Sequence, residues 1–100
     1  MATRSLRRSS GNVFGDLGFS TADAENLRIR SELMARFAKL IEERGLTRAD
    51  AAKAFGVTQP RVSDLVRGKI DRFSIDMLVV MLAKGGIRIT FTTRTRKRGV

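Results

Sequence analysis

The side chains best suited to chemistry in this chain gather in one stretch, Thr58 to Arg67 (TQPRVSDLVR). At helical spacing Val62 and Leu65, with Val57 just before them, share one face. Gln59, Arg61, Ser63, Asp64 and Arg67 are left to the opposite face. Polar side chains on such a helix match base-pair edges in a major groove, where a glutamine amide pairs with adenine and an arginine fork with guanine. Thr58 and the amides of the first turn, together with Arg48, Lys69 and Arg72, suit phosphates, which position a protein without reading sequence. Catalytic chemistry has less to build on. The 100 residues contain neither cysteine nor histidine, which removes disulfides, thiolate metal sites, the commonest metal ligand and the commonest general base. No metal, no cofactor and no enzymatic activity is expected.

The elements that must hold these residues are legible from their caps. Thr47 with Asp50 opens a short helix, Arg48 to Phe55 (RADAAKAF), and Gly56 suits the left-handed residue of a sharp turn. Thr58 caps the next helix, which runs to about Val66 with Pro60 in its first turn and Gly68 at its end. Ala51 or Ala52 supplies the small residue where the two helices cross. The connection Gly56-Val57-Thr58 has the length of a helix-turn-helix, and the motif spans Thr47 to about Arg67. Upstream, Ser20 with Asp23 starts a long helix near Thr21. Leu27, Leu33, Met34, Phe37, Leu40 and Ile41 recur along it at helical spacing, and it ends at Gly45. Downstream, Ser74 caps a fourth helix from Ile75 to about Lys84, closed by Gly85-Gly86.

That fourth helix is apolar nearly all the way round. With Ile75, Leu78, Val79 and Leu82 facing the core, Met77, Val80 and Met81 point elsewhere, and a second protomer is the simplest thing to meet them. In the segment Ile87 to Arg94, Ile87, Ile89 and Phe91 alternate with Arg88, Thr90 and Thr92, which is a strand pattern with one buried face. No second convincing strand exists in the chain. The strand therefore either pairs with its twofold mate in a homodimer or lies unpaired along the helices.

The net charge is +10, and its placement matters more than its sum. From Ser20 to Gly86 twelve Lys and Arg stand against nine Asp and Glu, while the flanks carry eight against Asp16 alone. A nearly balanced middle with basic ends is expected of a folded core whose arms seek a polyanion. Residues 1 to 12 read as a flexible basic arm and residues 95 to 100 as a basic tail. Between arm and helices, VFGDLGF sets the apolar Val13, Phe14, Leu17 and Phe19 among glycines. This short segment either packs on the chain's own core or docks on a partner. The longest apolar run, Met77 to Ala83, is too short to span a bilayer, and the N-terminus carries no signal-peptide pattern, so a cytoplasmic location is expected.

The stretch LTRADAAKAFGVTQPRVSDLVRGK, Leu46 to Lys69, resembles the XRE-type helix-turn-helix of lambda and 434 repressors and Cro proteins. The wider pattern from about Gly11 to Gly86, most specifically TQPRVSDLVRGKIDRFSIDML, is similar to HigA-type antitoxins of bacterial toxin–antitoxin pairs. The resemblance implies an all-α fold, a lambda-repressor-like bundle of four to five helices over residues 13–86, here followed by a short C-terminal strand. It also implies a homodimer that represses its own operon and neutralises a small ribonuclease toxin related to HigB and RelE. By position, Gln59, Pro60, Arg61, Ser63 and Asp64 match the family's base-facing surface, and Arg48 and Lys69 match its phosphate contacts. The chain departs from the pattern at Arg48, where the family usually has glutamine.

Taken together, these features predict a repressor that binds an inverted-repeat operator as a dimer through Arg48, Thr58, Gln59, Pro60, Arg61, Ser63, Asp64, Arg67 and Lys69. Its twofold contacts would come from Met77, Val80, Met81, Ile87, Ile89 and Phe91, and its toxin contacts from Val13, Phe14, Leu17 and Phe19. A repressor with no toxin partner shares every one of the DNA-facing features. A small RNA-cleaving toxin, the third reading, would be an α/β protein with several strands, against the one offered here. Removing residues 95–100 is expected to flatten the salt dependence of DNA affinity, because fewer counterions are released. Titrations of a fluorescent duplex at several salt concentrations test this, and an unchanged slope would mean that the tail does not contact DNA.

Overall fold

Ser20, in extended backbone, accepts a hydrogen bond from the Asp23 amide at 3.1 Å, and a helix of 23 residues begins at the next position. The computed structural model describes residues 20–95. The proposed arm, the apolar segment with Val13, Phe14, Leu17 and Phe19, and the tail beyond residue 95 lie outside them. Among the described residues four α-helices follow one another: α1 (Thr21–Glu43), α2 (Arg48–Phe55), α3 (Gln59–Val66) and α4 (Ile75–Lys84), with a 3-10 turn at Ile70–Arg72 between the last two. All four begin on a hydroxyl cap: Ser20, Thr47, Thr58 and Ser74 each accept from the amide three residues on. Such caps satisfy backbone donors that have no partner within the helix. This agrees with the helix starts and ends expected from the sequence.

One core serves all four helices. Met34 and Phe37 of α1, Ala51, Ala52 and Phe55 of α2, Val62 and Leu65 of α3, and Leu78, Met81 and Leu82 of α4 are buried together with Phe73. Phe37 and Phe55 meet edge to face, with ring centroids 4.8 Å apart, an arrangement favoured by the ring quadrupoles. Both Ala51 and Ala52 lie in this core, so two small residues rather than one let α2 approach its neighbours α3 and α4. On the polar side of α1, Arg28 bridges Glu25 and Glu32. The hydrogen bond to Glu25 is the largest cause of a raised Arg28 pKa, so this guanidinium stays charged throughout the working pH range.

Two expectations need correction. On α4, Met81 is buried at 4% exposure while Val79 is 41% exposed and Val80 52%. The buried arc centres on Leu78 and leans towards Met81, which carries Met81 into the protein's own core and turns Val79 out. Because the helix is apolar on all sides, its hydrophobic periodicity does not set its roll. The second correction concerns residues 87–95, which form no strand among the described residues. A strand needs a neighbouring ladder, and the four helices offer none. Instead Gly86, at φ 84°, reverses the chain, and the Ile87 amide bonds back to the Leu82 carbonyl at 2.9 Å. This is the wrap that closes many helices. Ile87 and Ile89 then pack half-buried on the core, and Phe91 is left 83% exposed. Among the described residues, no helix is long and apolar enough to cross a membrane.

A Cβ at Gly85 would come within 2.4 Å of the Phe55 ring. Gly85→Ala is therefore expected to destabilise the protein by about 1–3 kcal/mol through overpacking, and Phe37→Ala by about 3–5 kcal/mol through loss of core volume. Urea unfolding of both variants should show lower midpoints at an unchanged slope. A Gly85→Ala midpoint equal to that of the unmodified chain would refute the close approach.

Candidate nucleic-acid interface

The surface that the sequence singles out is built by α2, a three-residue turn and α3. Thr47 and Asp50 bond reciprocally: the Asp50 amide donates to Thr47 Oγ1 at 3.0 Å, and the Thr47 amide donates to Asp50 Oδ2 at 3.4 Å. This fixes where α2 starts. It ends at Gly56, whose φ of 69° lies in the left-handed region that a side chain would strain. The side chain of Lys84, from the end of α4, lies against Gly56, since a Cβ there would meet Lys84 Cδ at 2.7 Å. Val57 is half-buried, Thr58 Oγ1 accepts the Arg61 amide at 3.3 Å, and α3 begins.

Val62 and Leu65 anchor α3 to the core. At 100° per residue the arc facing away from them contains Pro60, Ser63, Asp64 and Arg67, with Gln59 at one edge and Arg61 at the other. Gln59, Pro60, Thr58, Arg67 and Arg48 are exposed, and Arg61, Ser63, Asp64 and Lys69 are half-buried. All nine residues expected at a DNA surface thus sit in or beside one motif, but their side chains divide into two groups.

On the Gln59 side, Arg48 reaches across from the start of α2 and donates from Nη1 to Ser63 Oγ at 2.6 Å. On the other side the polar groups engage the 3-10 turn. Arg61 donates from Nη1 to the Arg72 carbonyl at 3.1 Å, and its guanidinium carbon stands 5.6 Å from the centre of the buried Phe73 ring. Arg72 in turn donates to Asp64 Oδ2 at 3.1 Å. Asp64 is therefore paired with Arg72, not with Arg61 or Arg67 on its own helix. No sequence signal pointed to this pair, because α3 ends at Val66 and Arg72 lies in the 3-10 turn beyond it, where helical spacing no longer applies.

Arg30 of α1 is a further residue that sequence reasoning missed. It donates from Nη1 to the carbonyls of Ile70 and Phe73, each at 3.1 Å, and so ties the turn to α1. On the proposed twofold face, Val80 and Phe91 are exposed, Met77, Ile87 and Ile89 are half-buried against the core, and Met81 is inside it.

No curated protein matches the chain. A family model described as a helix-turn-helix domain matches residues 13–93, a span that contains all four helices described above and most of the segment after them. The chain thus carries a DNA-binding helix-turn-helix module and belongs to the helix-turn-helix domain family.

Proposed function

We propose that this chain is a sequence-specific transcriptional repressor that binds an inverted-repeat operator as a homodimer in the cytoplasm, represses its own operon and serves as the antitoxin to a HigB/RelE-like ribonuclease. The observation that carries the DNA-binding part is the exposed outward arc of α3, with Gln59, Pro60 and Arg67 open to solvent at the surface of a helix-turn-helix. Inserted in a major groove, such an arc meets base edges. Thr58 and Lys69 flank it and suit the phosphates on either side. Regulation of the protein's own operon and the antitoxin role rest on the likeness of TQPRVSDLVRGKIDRFSIDML to HigA-type proteins.

Dimerisation is supported by the apolar surface that α4 and the C-terminal segment leave uncovered. Val80 and Phe91 are large side chains that water wets in the single chain, and covering them is favourable by about 25 cal/mol per Å². Residues 88–94 make no backbone hydrogen bonds of their own among the described residues, and the same segment of a second copy could pair with them. Met77, Ile87 and Ile89 would contribute their exposed portions. The apolar residues Val13, Phe14, Leu17 and Phe19 are proposed as toxin contacts.

Expression of the chain with both flanking genes, followed by native mass spectrometry of what co-purifies, tests the whole reading. A dimer bound to a small basic protein, able to restore growth in cells expressing that protein alone, is the expected result. A dimer eluting alone would leave a repressor without a toxin. A footprint on the upstream DNA should show two symmetric half-sites about one helical turn apart. A monomer that protects no DNA would remove the repressor as well.

A further inference from the structure

We propose that Arg48, and not Arg61, is the arginine with which this chain reads guanine, and that Ser63 is the residue that positions it. The inference deepens the DNA-binding reading and rests on it. Spacing alone assigns the opposite roles, because Arg61 belongs to α3 while Arg48 starts the helix before it and would ordinarily meet a phosphate. The side chains are arranged otherwise. Arg61 stands at the edge of the outward arc with one N–H on the Arg72 carbonyl and its guanidinium over Phe73. Extending into a groove would require it to give up both contacts. Arg48 has no comparable anchor on its own helix, and it leans over α3 to place Nη1 2.6 Å from Ser63 Oγ.

Ser63 lies one turn after Gln59 and one turn before Arg67, inside the outward arc. The guanidinium that touches it therefore sits at the surface α3 would present to base pairs. A guanidinium has five N–H donors in a planar fork, and the bond to Ser63 engages one of them. The remaining donors include a parallel pair that fits the O6 and N7 acceptors of guanine. Ser63 accepts in this contact, so its own hydroxyl hydrogen stays available to a second acceptor. The neighbouring carboxylate does not divert Arg48, because Asp64 is held by Arg72 on the far side of the arc. Each residue on that side binds the 3-10 turn, and Arg48 with Ser63 is the pair that faces out.

The test is selection of preferred sites from a pool of randomised duplexes by the full chain and by the variants Arg48→Ala, Arg61→Ala and Ser63→Ala. Each variant is checked for an unchanged helical circular dichroism spectrum. The unmodified chain is expected to enrich a motif containing a guanine in each half-site. Arg48→Ala should lose the preference at that guanine alone and bind the selected site roughly tenfold to a hundredfold more weakly, with little change on the unselected pool. Ser63→Ala should weaken the same preference and leave pool affinity unchanged, which a purely structural serine would not do. Arg61→Ala should keep the guanine. Equal losses on selected and unselected DNA for Arg48→Ala, with a salt slope reduced by about one, would make Arg48 a phosphate contact and overturn the proposal. Loss of the guanine in Arg61→Ala would overturn it too. If the unmodified chain enriches no sequence, the sequence-reading function itself fails, and the proposal with it.

Discussion

Phe55 is the residue on which the presentation of α3 depends. It ends α2 with its ring edge-on to Phe37 of α1 and close against the backbone of Gly85 at the end of α4. Three helices are thereby registered at one point, immediately before the chain turns through Gly56. Any displacement of that ring moves the start of the turn, and α3 is only eight residues long, too short to hold a helical shape without packing. Its direction is inherited from α2 and from the core beneath Val62 and Leu65. Lys84 lying against Gly56, and Arg44 of the α1 C-cap donating to the Gly85 carbonyl at 3.4 Å, bind the same corner from outside.

The far end of α3 is held by different chemistry. The 3-10 turn at Ile70–Arg72 is anchored to α1 through two carbonyls that accept from Arg30 and to α3 through Asp64 and Arg61. Exposed ion pairs contribute little singly, about 0–1 kcal/mol, and the Arg72–Asp64 pair is half in solvent on the arginine side. Its effect lies in geometry more than in stability. Together with the Arg61–Phe73 contact it sets how far the outward arc rotates towards the turn, and so which side chains stand clear of the protein. One end of α3 is fixed by apolar packing and the other by directed polar bonds, and the helix has little freedom to roll between them.

How much of this was legible in the sequence follows from the range of each interaction. The helix starts were readable because a hydroxyl cap and the amide it accepts are three residues apart, as at Ser20, Thr47, Thr58 and Ser74. Glycines at the helix ends acted equally locally. The face of α3 followed from the spacing of Val57, Val62 and Leu65, to which the exposed Val66 does not belong. The roll of α4 did not, because Met77, Val79, Val80 and Met81 are all apolar and only contact with α1 and α2 decides which enter the core. The alternation in residues 87–94 was real as a pattern, and Ile87 and Ile89 do turn inwards. A pattern of alternate residues describes an extended chain, however, and it becomes a strand only when something supplies the ladder. The placement of Arg48 on Ser63, fifteen positions apart, needed the crossing of α2 and α3 before it could be seen.

The arrangement also bears on how charge is used. The whole chain is basic by ten units, and a surplus of that size attracts DNA of any sequence. Discrimination requires that some cations be taken out of that general attraction and held in defined directions. Arg61 and Arg72 are taken out in this way, each on a named acceptor, while Arg48 is directed by Ser63, and Asp64 on the same arc is partnered instead of bare. A carboxylate left unpaired beside a groove would repel phosphate. Paired with Arg72 it is masked, and its second oxygen still can accept from a base amine. Under the proposed function the basic ends would supply the general attraction to DNA, and the short, directed contacts of α3 would supply the discrimination.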